Sequence, residues 1–168
     1  MRLLFLSFIA LVALLPSTLR AQQLDNIYND WYVFTLQQQG KKICYIASYP
    51  NRKTGNYKKR GEPYFLITNR SATVDEVSVS SGYPYKPTSK VVAKLDTKQS
   101  FDMFTSPEVP EVAWARDTTQ DEKMVEALRK ATTVSVRGTS QSGSFSEDRY
   151  SLNGISKAYQ RMKSLCKK

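Results

Sequence analysis

The chain has 168 residues, 25 basic against 15 acidic side chains, a formal charge of +10, two cysteines and no histidine. That is the length of one domain with one core, and the missing histidine excludes Ser-His-Asp and Cys-His catalysis along with the commonest metal ligand. The basic balance favours anionic partners such as acidic glycans, lipid headgroups, nucleic acid or acidic proteins, against a plainer reading in which it only maintains solubility.

Met1-Arg2 carries a positive charge, residues 3–15 are almost wholly apolar, and Pro16-Ser17-Thr18 breaks the run. The small Ala21 then precedes the polar Gln22-Gln23. This layout predicts a cleavable signal peptide over residues 1–21 and a single domain over residues 22–168. The apolar run is shorter than the ~20 residues a membrane span needs, and no later stretch reaches that length. The mature chain is expected to lack a transmembrane segment and to be exported to the periplasm, the outer surface or the extracellular space.

Residues 22–30 are polar and read as a mobile lead-in. Residues 31–36 (WYVFTL) and 43–49 (ICYIASY) are dense in aromatic and β-branched side chains and read as strands, with Cys44, Ile46 and Ser48 on one face. Residues 50–62 (PNRKTGNYKKRGE) read as a polar loop holding Arg52, Lys53, Lys58, Lys59 and Arg60, beside Tyr49, Tyr57 and Tyr64. Cations interleaved with rings can grip phosphate or sulfate groups. The plainer reading is a solvated loop whose lysines protect a strand edge. These five cations are the candidate contacts for an anionic partner.

Further strands are expected over residues 64–68, 76–80, 91–95, 101–104, 112–116 and 133–137, and one more within 145–152. Trp114 is expected as a core ring. Asn69-Arg70-Ser71 matches the N-glycosylation triplet. Thr119-Gln120-Asp121-Glu122 reads as a capping box opening a helix that runs to about residue 131. Strands in succession without βαβ alternation indicate a mainly β protein: an antiparallel sandwich or barrel of about eight strands with two short helices.

The second helix closes the chain. From Ile155 the apolar residues Ala158, Tyr159, Met162, Leu165 and Cys166 recur at helical spacing, opposite Lys157, Gln160, Arg161 and Lys163. Cys166 thus sits on the buried face and points inward. Cys44 is the other thiol in the chain, and two cysteines in an exported protein suggest one bridge. A Cys44–Cys166 disulfide would tether the C-terminal helix and close a loop of ~120 residues, worth roughly 4–5 kcal/mol in the chain-entropy description. An intermolecular bridge is the alternative, and an inward Cys166 argues against it.

Reaction chemistry is not legible. No serine sits in a G-x-S-x-G elbow or S-x-x-K motif. The glycine-serine run at residues 138–144 lacks the lysine of a phosphate loop. Asp117, Asp121 and Glu122 read as a helix start, and Glu147 and Asp148 as a strand end, rather than as paired acids across a cleft. Neither catalytic, cofactor-binding nor metal residues are assigned, and no small-molecule substrate is inferred.

Several segments together resemble the invasion-associated locus B family of exported bacterial proteins, over residues 31–166. The markers are Trp31, Cys44, Lys59-Arg60-Gly61 with Pro63-Tyr64, Ser81-Gly82-Tyr83, the segment 101–104 and Ala113-Trp114-Ala115. The most specific are Gly138-Thr139-Ser140-x-x-Gly143 and Asp148-x-Tyr150-Ser151-Leu152-x-Gly154-x-x-x-Ala158. Ser142 departs from an expected basic residue and Ile155 from an expected phenylalanine. The resemblance implies an exported β-rich protein, associated in pathogens with entry into host cells and with no known reaction. Similar proteins also occur in bacteria that invade nothing.

The expected function is therefore binding rather than catalysis, in host-cell invasion, with an anionic host-surface or envelope component as partner. Nucleic acid is not the expected partner. The alternative is a periplasmic protein that maintains or contacts the envelope without touching the host.

Overall fold

The described residues form eleven strands and two helices, more strands than the alternation in the sequence alone indicates. A computed structural model describes residues 22–167, so the leader expected over residues 1–21 lies outside the described residues. The elements are β1 (Gln23–Tyr28), β2 (Trp31–Gln38), β3 (Lys41–Ser48), β4 (Arg52–Gly55), β5 (Tyr64–Asn69) and β6 (Asp75–Ser80). They continue as β7 (Val91–Leu95), β8 (Ser100–Ser106), β9 (Val109–Trp114), α1 (Thr118–Leu128), β10 (Thr133–Thr139), β11 (Phe145–Ser151) and α2 (Ile155–Leu165).

Neighbouring strands pair antiparallel in the order β1-β2-β3-β5-β6-β9-β8-β7-β10-β11-β4. Strand β8 carries the sheet from one layer to the other. Its first half pairs with β7, matching Met103 to Val91, and its second half pairs with β9, matching Phe104 to Trp114. The ends of the sheet, β1 and β4, do not meet. The sheet is not closed, and the arrangement is a sandwich rather than the barrel that the sequence left open.

The core lies between the layers. Trp31 of β2 meets Phe65 of β5 edge-on at 6.1 Å, and Phe65 meets Tyr150 of β11 edge-on at 5.6 Å. All three are fully buried, and each such ring pair adds about 0.5–1.5 kcal/mol beyond area burial. Trp31 also donates its Nε1 hydrogen to the Ser151 carbonyl at 3.1 Å. One end of the core is covered by Met124 and Leu128 of α1, another by Ile155, Ala158 and Met162 of α2.

Cys44, Ile46 and Ser48 do share the inward face of β3, all fully buried. Cys44 is bonded to Cys166 at the end of α2, 122 positions away. Polar contacts fix the helix on either side. Arg161 donates twice to Asp25 of β1 at 2.8 Å, while Tyr159 and Lys163 both reach Asp75 of β6, at 2.6 and 3.1 Å.

Several expectations need correction. Residues 22–30 are not a mobile lead-in: β1 pairs along β2, and Asp30 N–H donates to the Asn153 carbonyl at 3.3 Å. Here Gly154 has φ +94, and a Cβ would lie 1.9 Å from the Tyr28 carbonyl oxygen, so only glycine lets the β1–β2 turn approach α2. Residues 50–62 are not wholly loop, because β4 pairs with β11. Helix α1 is capped by Asp117, which accepts from Gln120 N–H, rather than by Thr119, and it stops at Leu128. Trp114 is half-buried, facing outward beside the exposed Phe104. Asn69 is buried and its amide donates to Ser71 O and to Asp75, which removes it as a glycan acceptor.

Two outcomes follow. Mass spectrometry of unreduced peptides should join Cys44 to Cys166, and reduction should lower unfolding stability by roughly 2–4 kcal/mol; free thiols in protein taken from its native compartment would contradict the staple. The second concerns Asp121 in the first turn of α1. Burial pushes its carboxyl up from 3.8 to about 6, against the pull of the Val77 N–H it accepts, and Glu76, Asp117 and Asp75 add to the rise. A raised value means that the fold holds the proton more tightly than the unfolded chain. The stability gained at low pH is then lost as pH climbs from about 4 to about 6. Asp121→Asn keeps an acceptor for Val77 but cannot ionise. It should be more stable than the native chain by about 1 kcal/mol at pH 8, with the gain gone at pH 4 in urea titrations.

Candidate functional site

The five cations of residues 50–62 do not act as one patch. Pairing of β4 with β11 sends alternate side chains to opposite faces. Arg52 and Thr54 face outward, while Lys53 faces the other way and pairs with Glu62 at 2.5 Å. Lys58 and Lys59 follow β4 as exposed loop side chains.

Arg60 turns inward, so it leaves the group of candidate surface contacts. Its guanidinium grips Asp148 of β11 through two hydrogen bonds of 2.5 and 2.6 Å, with the Arg60 and Asp148 side chains only 4% and 0% exposed. It also donates to Ser81 O at 2.9 Å and to the Tyr57 hydroxyl at 3.1 Å, lying 4.1 Å over the Tyr57 ring. Burial works against the Arg60 charge, but the Asp148 carboxylate outweighs it and holds the guanidinium protonated more firmly than usual. Beside this pair, Tyr83 bonds Ser146 at 2.7 Å and the Gly138 carbonyl at 2.9 Å, and Tyr85 bonds Ser81 at 2.9 Å. These are fully used structural groups. Of the acids at the start of α1, Asp117 caps the helix and Asp121 accepts from Val77 N–H, and in the glycine-serine run Ser140 bonds Ser142 and the Ser144 N–H within a turn.

Strand order supplies what the loop does not. Arg52 of β4 stands opposite Arg149 of β11, Arg149 opposite Ser135 of β10, and Ser135 opposite Lys94 of β7. Strands lie about 4.8 Å apart, so this row spans about 14 Å across the outer face of the second layer. Its cations border a shallow depression of 460 Å³, also lined by Thr54, Thr133, Asp96 and Glu147. Arg149 reaches the Thr133 hydroxyl at 3.4 Å. Among the described residues none of the three cations has an ion-pair partner, whereas Glu147 is engaged with Arg137 at 3.4 Å and Asp96 accepts from Thr132. Glu147 is thus offset by Arg137, and Asp96 leaves one negative charge against the three positive ones, so the depression keeps a net positive field.

The two cations that sequence reasoning missed are Lys94 and Arg149. Each lies on an outward position of a strand whose alternation was readable, but which strands become neighbours was not.

The outer face of the first layer differs. Phe34 stacks on Tyr45 at 5.2 Å and on Tyr32 at 6.4 Å, and Tyr32 meets Tyr49 edge-on at 5.8 Å. Partial burial in this cluster pushes the Tyr45 hydroxyl up to about 12. The row of cations thus lies on one outer face and the aromatic cluster on the other.

Comparison with known proteins gives consistent results. The profile of the Invasion associated locus B (IalB) protein family matches residues 31–163. The crystal structure of invasion associated protein b from Bartonella henselae superposes with a TM-score of 0.61 at 18% sequence identity, covering 85% of this chain and 97% of that one. At that identity the likeness is one of fold. No curated protein matches the chain.

The buried pair has a measurable consequence. Arg60→Met strips the buried Asp148 carboxyl of its partner and should cost roughly 3–5 kcal/mol in denaturant titrations. Restoring charge balance with Arg60→Met and Asp148→Leu together should recover much of that loss. A single substitution with no effect would show that the pair does not hold the loop.

Proposed function

From membership of the invasion associated locus B family, to which this chain belongs, we propose that the protein is exported to the bacterial envelope and promotes host-cell invasion by binding, not by catalysis. The observation that carries the reading is the row of unpaired cations on one outer face. Exposed cations without partners cost the fold nothing by being moved elsewhere, yet three of them converge from three separate strands. Such a surface raises the local concentration of anionic partners and speeds encounter with them, in a salt-dependent way.

Two further features support export. The leader-like residues 1–21 precede the domain, and a bridge between Cys44 and Cys166 suits an oxidising compartment. Among the described residues no helix is long and apolar enough to cross a membrane.

The reading is tested on intact cells with a protease that cannot cross the outer membrane. The protein should be lost while a periplasmic control survives. Protection until the outer membrane is opened would move it to the periplasm, where it would contact the envelope and influence invasion only indirectly.

A further inference from the structure

Resting on the binding role of the cation row, we infer that Arg52, Arg149 and Lys94 form a docking site for a sulfated polysaccharide lying across strands β4, β11, β10 and β7. Charge complementarity points to an anion, and three details of the face narrow its class.

The first detail is spacing. Neighbouring strands set Arg52 and Arg149 about one strand apart and Lys94 two strands further, so the cations are separated along a line of about 14 Å rather than massed at one point. A ligand must carry discrete anionic groups along an extended chain. Arginine's planar fork matches an oxyanion with two parallel hydrogen bonds, and lysine adds a point charge. Ser135 places a hydroxyl between Arg149 and Lys94, which suits the hydroxyls of sugar rings between sulfate groups, while Thr54 is already bonded to the Glu147 carbonyl and Thr133 to Arg149.

The second detail disfavours single-stranded nucleic acid. Phe145 lies on the same face of β11 as Arg149, but Arg137 covers its ring at 4.4 Å. Single strands bind through rings on which bases stack, and this ring is occupied.

The third disfavours a lipid. Leu95 is the one apolar side chain lining the depression, and it is only 2% exposed. An acyl chain would find no apolar wall to enter.

The test uses the mature chain, residues 22–168, titrated with a heparin oligosaccharide as the probe. Arg52→Glu with Arg149→Glu should weaken binding at least about tenfold and flatten its dependence on salt. Arg52→Gln with Arg149→Gln should weaken it in the same direction, and an unchanged thermal midpoint in that variant shows that the fold is intact. Reversal of Lys58 and Lys59, outside the row, should change binding less than reversal within it. Chemically desulfated heparin should bind far more weakly.

Binding unchanged in both row variants would overturn the site. Equal affinity for desulfated heparin, or tighter binding to duplex DNA or to vesicles of anionic phospholipid, would overturn the ligand class. Row-dependent heparin binding by a protein that protease shows to be periplasmic would uphold this site and overturn host contact. A surface-exposed protein whose host attachment ignores the row would overturn this site alone.

Discussion

The buried pair of Arg60 and Asp148 fixes how the second layer ends. Strand β4 has four residues, all exposed, so apolar burial gives it no stability of its own. Its place at the edge of β11 depends on main-chain bonds, on Asn56, whose side chain accepts from Phe145 N–H at 2.7 Å, and on the Arg60 grip a few residues later. The loop then continues through Gly61, whose N–H donates to the Gly82 carbonyl at 2.8 Å. A Cβ on Gly82 would lie 2.2 Å from the Gly61 oxygen, and Gly82 has φ +75, so this crossing of two loops admits no larger residue there. A buried ion pair adds little net stability over an apolar pair of the same shape. What it supplies here is position: one register for β4, and with it one place for Arg52.

The opposite edge is held by different means. Strand β1 exposes most of its residues, including Leu24 and Ile27. It stays on the sheet through pairing with β2, through Arg161 on Asp25, and through the close approach of Tyr28 to Gly154. The same helix that meets β1 ends in Cys166, bonded to Cys44 in β3. The first strand, the third strand and the last helix therefore form one tethered unit. Local opening of α2 would have to break a covalent bond or drag β3 out of the first layer, so fluctuations at this edge are confined to the strand itself.

The sequence made the buried half of the fold legible and concealed the rest. Alternation in residues 31–36, 76–80 and 133–137 and the helical period from Ile155 to Cys166 report burial, and those elements stand where expected. Strands β1 and β4 carry no such signal, because what holds them is pairing and polar contact. Trp114 looked like a core ring from its size alone, yet its β9 position faces outward opposite Ser78 and Phe104. Arg60 was indistinguishable from Lys59 by residue type. Only Asp148, 88 residues later, separates their roles. For the same reason the candidate site was half visible: Arg52 was named, but Lys94 and Arg149 belong beside it only through the strand order β4-β11-β10-β7.

A net charge of +10 could serve solubility alone; what sets Arg52, Arg149 and Lys94 apart is their placement in one row across neighbouring strands. Several cations elsewhere on the surface have an acid within reach, Arg70 with Glu76, Lys90 with Asp102, Lys130 with Glu126 and Arg161 with Asp25, while others among the described residues, such as Lys41, Lys58 and Lys86, stand singly and scattered. Exposed pairs of this kind contribute at most about 1 kcal/mol each, so stability does not explain them. They do flatten the local potential wherever they occur. The outer face of β4, β11, β10 and β7 holds one such pair, Arg137 with Glu147, and that pairing turns Glu147 away from Arg149, two positions along the same face. Solubility needs charge somewhere on the surface and is indifferent to which strands carry it. A row of three cations without ion-pair partners among the described residues, set by the register of four strands, keeps its spacing as the molecule moves, and that fixed spacing is what the proposed ligand would read.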